Sequence, residues 1–486
     1  MPHVVIDGTG YQLPEGRTLM EALEEAGLLM KGVDIPHYCW HPMLSIDGSC
    51  RLCQVEVEGE AKLQIACNTP VRDGMVVHTR NPRVRDAREG AMELLLINHP
   101  LDCAICDQAG ECTLQDYAFA YGPGHARTRE PRRRGAKRVP LGRQLVFDEE
   151  RCILCRRCVR FCDEISGTGE LGIRGRGDRS TIATFPGDSV ENDYSMNLAD
   201  LCPVGAITTR DFRFKVRVWA LEEVPGLCTG CARGCNVNIG VSKGEVVRYT
   251  PRRNDQVNDM WLCDAGRLSY AQIGAPDRIR HPALRHPEGP LREVPLGRAI
   301  DRAATLIRDA VDRAGPGAVA TLASPHTTNE ELGALRDFLA RLDTATAGVA
   351  IVRGDPDALL LHAERAPNGA GARAAGFGEP GRVLDEIRGG VARVLLCFGH
   401  DILHEQFAGS EALFSDLDGL ILVDTHHSAL ERVADVVIPG RHVAEMSGTL
   451  TNHAGRVQEV RAAVDPPFEA PTQADLLGRL AEALRL

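Results

Sequence analysis

The stretch CILCRRCVRFC, residues 152–162, spaces its four cysteines as C-x2-C-x2-C-x3-C. In iron–sulfur proteins with this spacing, the first three thiolates bind one cluster, the fourth binds a second cluster, and a distant Cys-Pro completes the first. Cys202-Pro203 supplies that pair. The positions that would complete a second cluster carry no cysteine and are Asn192, Ser195 and Leu198. The spacing therefore predicts a single [4Fe–4S] cluster here, and it makes Cys162 a buried non-ligand. Its predicted ligands are Cys152, Cys155, Cys158 and Cys202.

The composition narrows the class of protein. The 486 residues suffice for three or more domains, and the net charge of −11 argues against nucleic acid as the main partner. No secretory signal is visible at the N-terminus, and apolar runs such as LLLI, residues 94–97, are too short to cross a membrane. We therefore expect a cytosolic chain, or one held at a membrane through partners. Sixteen of the seventeen cysteines precede residue 264, and such clustering in a cytosolic protein indicates metal binding before disulfides.

The N-terminal segment predicts a small sheet domain that resembles the β-grasp fold of plant-type ferredoxins. Residues 3–13 read as a β-hairpin, and residues 18–27 read as a helix with a capping box at its start and Gly27 at its end. The cysteines that follow are spaced C-x10-C-x2-C-x13-C, which differs from the plant-type pattern but suits a [2Fe–2S] cluster. A zinc site with four cysteine ligands is the alternative. The ligands of either would be Cys39, Cys50, Cys53 and Cys67.

Residues 81–100 predict a helix that Asn81 caps and that stops near His99-Pro100. Its predicted apolar face consists of Ala87, Ala91, Leu94 and Leu95. Beyond it the spacing is H-x3-C-x2-C-x5-C, and no fourth thiol is near. We interpret His99 as the missing ligand of a [4Fe–4S] cluster, against the alternative of an ordinary surface or core histidine. A neutral imidazole in place of a thiolate would raise the potential of the cluster. The predicted set is His99, Cys103, Cys106 and Cys112.

A fourth group has the spacing C-x2-C-x3-C-x27-C and encloses an alternating stretch, residues 237–252, that predicts a hairpin turning near Gly244. We expect a third [4Fe–4S] cluster here, with a zinc ribbon as the alternative. Its ligands would be Cys228, Cys231, Cys235 and Cys263. The basic stretch 121–143 reads either as a solvated linker or as a segment that docks on an acidic neighbour or shields the clusters.

From residue 278 onward the pattern is α/β. Residues 317–324, 391–399 and 419–425 predict strands, and residues 329–342 predict a helix between the first two. Cys397 lies in one of these apolar strands and is predicted to be a core residue.

The four groups, taken in this order, resemble those of the large iron–sulfur subunit of respiratory complex I. This family is known as the 75 kDa-type subunit, and its bacterial members are the G subunits of NADH:quinone oxidoreductase. The resemblance is close over residues 1 to about 270 and looser beyond. Residues 434–458 resemble a stretch of molybdopterin oxidoreductases. Active molybdenum enzymes need more chain than follows Cys263, so the resemblance implies a truncated, vestigial α/β domain without molybdopterin.

The resemblance further implies one [2Fe–2S] cluster, three [4Fe–4S] clusters and no catalytic residue in this chain. NADH and FMN would bind to a partner subunit, and electrons would pass from the [2Fe–2S] cluster to the third group, then to the His99 group and on to quinone-side iron–sulfur partners. A small [2Fe–2S] subunit is a further implied partner. The whole complex would couple this transfer to proton translocation at the cytoplasmic face of the cell membrane. A subunit of an NAD-linked hydrogenase or formate dehydrogenase is one alternative, and a zinc-stapled scaffold is another.

We accordingly expect an α+β multidomain chain. The predicted domains are a [2Fe–2S] ferredoxin-type domain (1–80), a [4Fe–4S] domain with one histidine and three cysteine ligands (81–120), a basic linker (121–147), a ferredoxin-like [4Fe–4S] segment (148–220), a [4Fe–4S] domain of the molybdenum and tungsten oxidoreductase type (221–277) and the α/β domain (278–486).

Overall fold

The computed structural model describes residues 1–287 and 289–486, which form two compact units, residues 1–220 and 221–486. Across the described part of the chain, every helix is too short or too polar to traverse a lipid bilayer.

The first unit begins with a mixed sheet in the order β2-β1-β5-β3-β4. The predicted hairpin is confirmed, since β1 and β2 pair antiparallel, while β1 and β5 pair parallel. The predicted helix is also confirmed: Thr18 and Glu21 form the capping box, and Gly27 takes a left-handed φ of 68° after the last turn. The elements are β1 His3–Ile6, β2 Thr9–Gln12, α1 Leu19–Glu25, β3 Gln54–Val57, β4 Gln64–Ile65 and β5 Met75–His78.

The next helix, α2 Pro82–Leu96, starts as predicted, with the Asn81 side chain accepting the Val84 N–H at 2.9 Å. Its predicted apolar face is only partly confirmed, because Ala91 is buried but Leu94 is 73% exposed. The helix instead turns Arg88 inward, where the guanidinium donates to the Gln54 carbonyl and lies 5.8 Å from the centre of the Tyr121 ring. The side chains that the helix buries are Val84, Arg88, Ala91 and Met92.

The rest of the first unit is built from short elements that connect the cysteine groups. A small antiparallel sheet has the order β10-β7-β6, and β8 and β9 form a separate hairpin. The elements are α3 Thr113–Tyr121, β6 Val139–Pro140, β7 Leu145–Phe147, α4 Arg157–Glu164, β8 Gly172–Arg174, β9 Thr181–Ala183, α5 Asn197–Leu201 and β10 Ile207–Thr209.

The second unit opens with an antiparallel sheet in the order β11-β12-β13. The predicted hairpin is confirmed, with Gly244 at φ 79° in the turn and a register shift between Gly240 and Val241. The elements are β11 Glu222–Leu227, β12 Asn236–Ser242, β13 Glu245–Pro251 and the short helix α6 Asp264–Leu268.

A larger sheet follows, in the order β15-β14-β20-β19-β18-β16-β17. Strands β16 to β20 pair parallel, whereas β14 and β15 run antiparallel at one edge. The predicted strands are confirmed, and Cys397 is 1% exposed inside β18, as a core residue. The elements are β14 Ala283–Arg285, β15 Leu291–Glu293, α7 Leu296–Ala314, β16 Val319–Ala323, α8 Asn329–Arg341, β17 Ala347–Val349, α9 Gly369–Ala374, α10 Gly381–Arg388, β18 Val394–Phe398, β19 Gly419–Asp424, β20 Val436–Pro439, β21 Gly448–Thr451, β22 Val457–Val460 and α11 Gln473–Leu484.

Apolar clusters cover both faces of this sheet, one containing residues of α7, α8 and α11 and the other containing residues of α10. Burial on both faces explains why the parallel strands read as unbroken apolar runs rather than as alternating ones.

Candidate iron–sulfur ligand sites

The first cysteine group lies in the loop between α1 and β3 and in the turn after β4. Cys39, Cys53 and Cys67 are buried, and the sulfur atoms of Cys39 and Cys50 are 3.4 Å apart. The hydrogen bond between these two thiols lowers the pKa of Cys39 to about 5, and it raises the pKa of Cys50. The group therefore presents sulfur atoms together in a protected loop, with one of them biased towards the thiolate that binds metal.

The second group surrounds a cavity of about 760 Å³ whose lining includes all four predicted ligands, His99, Cys103, Cys106 and Cys112. The Nδ1 atom of His99 is buried and has no hydrogen-bond partner among the described residues. Burial, with a smaller contribution from Arg151, lowers the pKa of His99 to about 4, so the ring is neutral at pH 7. His99 thus has a neutral imidazole with an unpaired nitrogen and lines a cavity that three thiols also line, and the neutral imidazole is the form of histidine that ligates metals.

The third group gathers around a small cavity between β7 and α4, and its lining includes Cys152, Cys155, Cys158 and Cys202. Leu154 adopts a left-handed φ of 54°, and its N–H donates to the Cys152 sulfur at 3.4 Å. Burial raises the pKa of Cys202 to about 11 and also raises the pKa values of the other three thiols. Such thiols are neutral without a metal and lose their protons when one binds.

Cys162 lies one turn beyond Cys158 on α4 and is not among the described residues that line this cavity. Its side chain is fully buried, and its carbonyl accepts the N–H groups of Thr168 and Gly169 at 2.8 and 3.0 Å. Burial raises the pKa of Cys162 to about 12. These surroundings are those of a packing residue.

The fourth group joins the β11–β12 loop to the start of α6. The N–H of Gly266 donates to the Cys263 sulfur at 3.3 Å, and the N–H of Gly230 donates to the Cys228 sulfur at 3.5 Å. A β-carbon on Gly266 would lie 2.8 Å from the Cys228 sulfur and 3.1 Å from the Cys263 sulfur. Only glycine lets the backbone approach both sulfurs, and N–H groups aimed at cluster thiolates are a usual means of setting potential.

Within the described residues, no three or more histidine, cysteine, aspartate or glutamate side chains converge as ligands of one common metal ion. The donor set itself, thiols in four groups with one neutral imidazole, fits thiolate-ligated iron–sulfur clusters.

The third group contacts both the first and the second. Arg160 on α4 donates to the carbonyl oxygens of Cys39 and Cys155 and so connects the first and third groups. On the other side, the backbone that follows Cys202 packs against the second group, because the Pro203 carbonyl lies 3.9 Å from the Cys112 sulfur. Gly205, two residues further, lies against the Cys106 sulfur. The third group therefore lies between the other two groups of the first unit.

Sequence reasoning identified the cysteines but missed the residues that connect their groups. Arg157 and Arg160 occupy variable positions of the C-x2-C-x2-C-x3-C spacing, and Gly205 follows the Cys-Pro pair. The only signal was the presence of arginines inside a cysteine motif on a chain of negative net charge.

The basic stretch is fixed to its own chain by ion pairs. Arg127 pairs with Glu93, and the Lys137 ammonium lies 2.7 Å from Asp102 and 2.9 Å from Glu150. These contacts order part of the linker against the second group.

The second unit contains a cavity of about 810 Å³ at the carboxyl ends of its parallel strands. Residues that follow β16, β18, β19 and β20 line it, among them His400, whose Nδ1 lies 2.7 Å from Asp424.

Several family models match consecutive parts of the chain. They are a 2Fe-2S iron–sulfur cluster binding domain (residues 3–82), the NADH-ubiquinone oxidoreductase-G iron–sulfur binding region (88–127), the ferredoxin-like domain of NADH-quinone oxidoreductase subunit 3 (142–208), the molybdopterin oxidoreductase Fe4S4 domain (221–274) and molybdopterin oxidoreductase (382–483).

Curated relatives carry names from one kind of complex. The G subunit of NADH-quinone oxidoreductase from Rickettsia prowazekii (strain Madrid E) is 38% identical over 342 residues, which is 70% of this chain and 49% of the relative. The mitochondrial NADH dehydrogenase [ubiquinone] iron-sulfur protein 1 of Solanum tuberosum is 37% identical over 339 residues, 70% of this chain and 44% of the relative. The chain thus spans about half the length of the curated relatives it matches. A solved NAD+-reducing [NiFe]-hydrogenase, in its H2-reduced state, is 30% identical over 45% of this chain and 91% of that chain, with a TM-score of 0.40.

Proposed function

The chain is a relative of the G subunit of NADH-quinone oxidoreductase, and we propose that it is an electron-transfer subunit of such a complex. In this proposal it carries electrons from a partner that binds NADH and FMN towards quinone, and the whole complex couples the transfer to proton translocation. The chain acts at the cytoplasmic face of the membrane through its partners and contributes no catalytic residue of its own.

The ligands in this proposal are one [2Fe–2S] set and three [4Fe–4S] sets. The [2Fe–2S] set is Cys39, Cys50, Cys53 and Cys67; the [4Fe–4S] sets are His99, Cys103, Cys106 and Cys112, then Cys152, Cys155, Cys158 and Cys202, then Cys228, Cys231, Cys235 and Cys263. When bound, such clusters accept and release single electrons.

One observation carries the proposal: the third group is in contact with both the first and the second. Arg160 connects the backbone of Cys39 to that of Cys155, and Pro203 and Gly205 lie against the cysteines of the second group. A chain of adjacent sites supports relay from the first group through the third to the second, whereas a zinc-stapled scaffold has no need of adjacency.

The chain's own residues set the conditions of this transfer. The N–H groups of Leu154 and Gly266 donate to ligand sulfurs, which stabilises electron-rich sulfur. The neutral ring of His99 makes the second site less negative than four thiolates would, and this favours its reduced state.

The second group also has features of an exit towards a partner. Cys103 is exposed, and next to it on the cavity rim Leu101 is 82% exposed and Phe119 is 90% exposed. Exposed apolar side chains beside a redox site support docking of a quinone-side iron–sulfur subunit there.

For the α/β domain we propose a scaffold role without molybdopterin. Cys397 supports this, because it lies inside β18 in an apolar cluster whose described residues include no other cysteine.

Anaerobic reconstitution of the full chain tests the proposal. We expect about 14 iron atoms per chain with little zinc. Electron paramagnetic resonance (EPR) of the reduced chain should show four signals, each of which is lost when one cysteine of its group is replaced by alanine. Cys397→Ala is the matched control and should keep all the iron. A colourless, zinc-loaded chain, or a reconstituted chain that oxidises NADH on its own, would contradict the proposal.

A further inference from the structure

Helix α4 presents two arginines to the space between the first and third groups. Arg160 is 8% exposed and donates to the carbonyl oxygens of Cys39, Ser45 and Cys155. Two of those carbonyls belong to predicted cluster ligands, one from each group.

Arg157, one turn earlier, makes the same kind of connection through the neighbours of two ligands, Cys39 again and Cys202. Its Nη2 donates to the carbonyl of Trp40 at 2.6 Å, next to Cys39, and its Nη1 donates to that of Leu201 at 3.4 Å, next to Cys202. The two guanidinium groups therefore lie between the two sets of sulfurs.

Neither arginine has a carboxylate within 4.0 Å among the described residues, and the Nε atom of each is buried with no hydrogen-bond partner there. Of the nearby carboxylates, Glu164 accepts from the N–H and hydroxyl of Ser45, and Asp47 pairs with Arg156 through Oδ1 at 2.9 Å, while its buried Oδ2 has no hydrogen-bond partner among the described residues. A buried cation without a counter-charge is costly, so proteins pair such groups. The negative charge that these two lack is the charge that thiolate-bound clusters would bring.

We propose that Arg157 and Arg160 are positioning residues that serve as a shared counter-charge for the first and third groups. This inference rests on the proposed function, since it requires clusters at both sites. Two fixed positive charges between the sites stabilise their reduced states, which carry one more negative charge each, and they reduce the repulsion between two reduced neighbours. The same side chains hold the two ligand loops together through their carbonyls.

Redox titration of the full reconstituted chain, followed by EPR, tests the inference. In Arg160→Gln, and separately in Arg157→Gln, we expect the first-group and third-group signals to need a more negative potential, with about a tenfold change in the equilibrium between oxidised and reduced states, or about 59 mV for one electron. The second-group and fourth-group signals should not move. Arg160→Lys keeps the charge and should keep the potentials near those of the wild type.

Arg85→Gln is the control, because Arg85 is an exposed arginine of the same unit on α2. The inference is overturned if the glutamine variants retain their iron but shift the first and third groups no more than Arg85→Gln does. It is equally overturned if Arg160→Lys keeps its iron but shifts the two potentials as far as Arg160→Gln does, since a residue that acts through its charge would not behave in this way. Failure of the proposed function looks different: the wild-type chain itself would then hold no clusters.

Discussion

Gly205 lies so close to Cys106 that a β-carbon on residue 205 would come within 3.0 Å of the Cys106 sulfur. The two residues belong to different groups: Gly205 follows the Cys202-Pro203 pair of the third group, and Cys106 is a predicted ligand of the second. The same loop accepts the Thr113 hydroxyl at 3.1 Å through the Pro203 carbonyl. The backbone that completes one site thus forms part of the wall of the next.

Gly205→Ala should therefore damage the second group while leaving its sequence motif intact. The new methyl group would displace the Cys106 sulfur, so we expect iron to fall from about 14 to about 10 atoms per chain, with loss of the second-group EPR signal alone. Gly90→Ala is the matched control: Gly90 lies in α2 with no atom near a prospective β-carbon. That change should keep all the iron and stabilise the helix by about 0.5–1 kcal/mol. Retention of the second-group signal in Gly205→Ala would mean that the Cys106 sulfur is not held where the structure has it.

The histidine ligand is tested by two substitutions at one position. His99→Ala should remove or alter the second-group signal while the other three persist. His99→Cys should restore a bound cluster with a fourth thiolate, whose added negative charge lowers the potential. His125 lines the same cavity but is exposed, so His125→Ala serves as the control and should leave the signal unchanged. An unaltered signal in His99→Ala would show that the ring is an ordinary buried histidine.

Two cysteines on α4 should respond in opposite ways. Cys158→Ala removes a predicted ligand, so the variant should lose the third-group signal and about four of its iron atoms per chain. Cys162→Ala removes a sulfur that packs one turn further along the helix, and we expect the iron content to be unchanged with a stability loss of about 1 kcal/mol. Iron analysis and EPR on both variants decide the matter. Loss of third-group iron from Cys162→Ala would make that cysteine a ligand.

Local sequence patterns predicted much of this architecture. The capping box at Thr18, the hairpin around Gly244 and the apolar strand that contains Cys397 were all predictable, because each depends on residues close in sequence. The apolar face of α2 was not predictable in the same way. Periodicity favours Leu94 over Arg88 as a buried residue, but the carbonyl of Gln54 and the ring of Tyr121 give the arginine partners inside. That preference is set by residues distant in sequence.

The same distinction between contacts close in sequence and contacts distant in sequence applies to the candidate sites. Cysteine spacing indicates which residues share a group, since at least three of the four predicted ligands of each group are close in sequence. The spacing of the cysteines does not predict which groups lie next to one another in the fold. It depends on Arg160 reaching back to Cys39 and on Gly205 reaching Cys106, contacts across 121 and 99 residues of chain.

The last prediction concerns the pH dependence of the second unit. His400 forms a hydrogen bond of 2.7 Å with Asp424. This bond raises the pKa of His400 to about 9, and its effect outweighs burial, which alone would lower that pKa. A histidine whose pKa is raised by folding stabilises the native state fully below its ordinary pKa of about 6.5, and this stabilisation is lost as the pH rises through about 9. The side chain is 47% exposed, so solvent screening makes the effect smaller than the pKa alone implies.

We therefore expect the apparent melting temperature of the wild-type chain to fall more steeply between pH 6.5 and pH 9 than that of His400→Gln. Above about pH 9 the melting temperatures of the two proteins, plotted against pH, should converge. His281→Gln removes an exposed histidine of the same unit and controls for the general loss of one imidazole. Its curve should run parallel to that of the wild type. Because the native and unfolded states differ in the proton bound by His400 only between these two pKa values, the difference in slope must lie in this window. Parallel curves for His400→Gln and the wild type would mean that the contact with Asp424 does not hold a proton on His400 in solution.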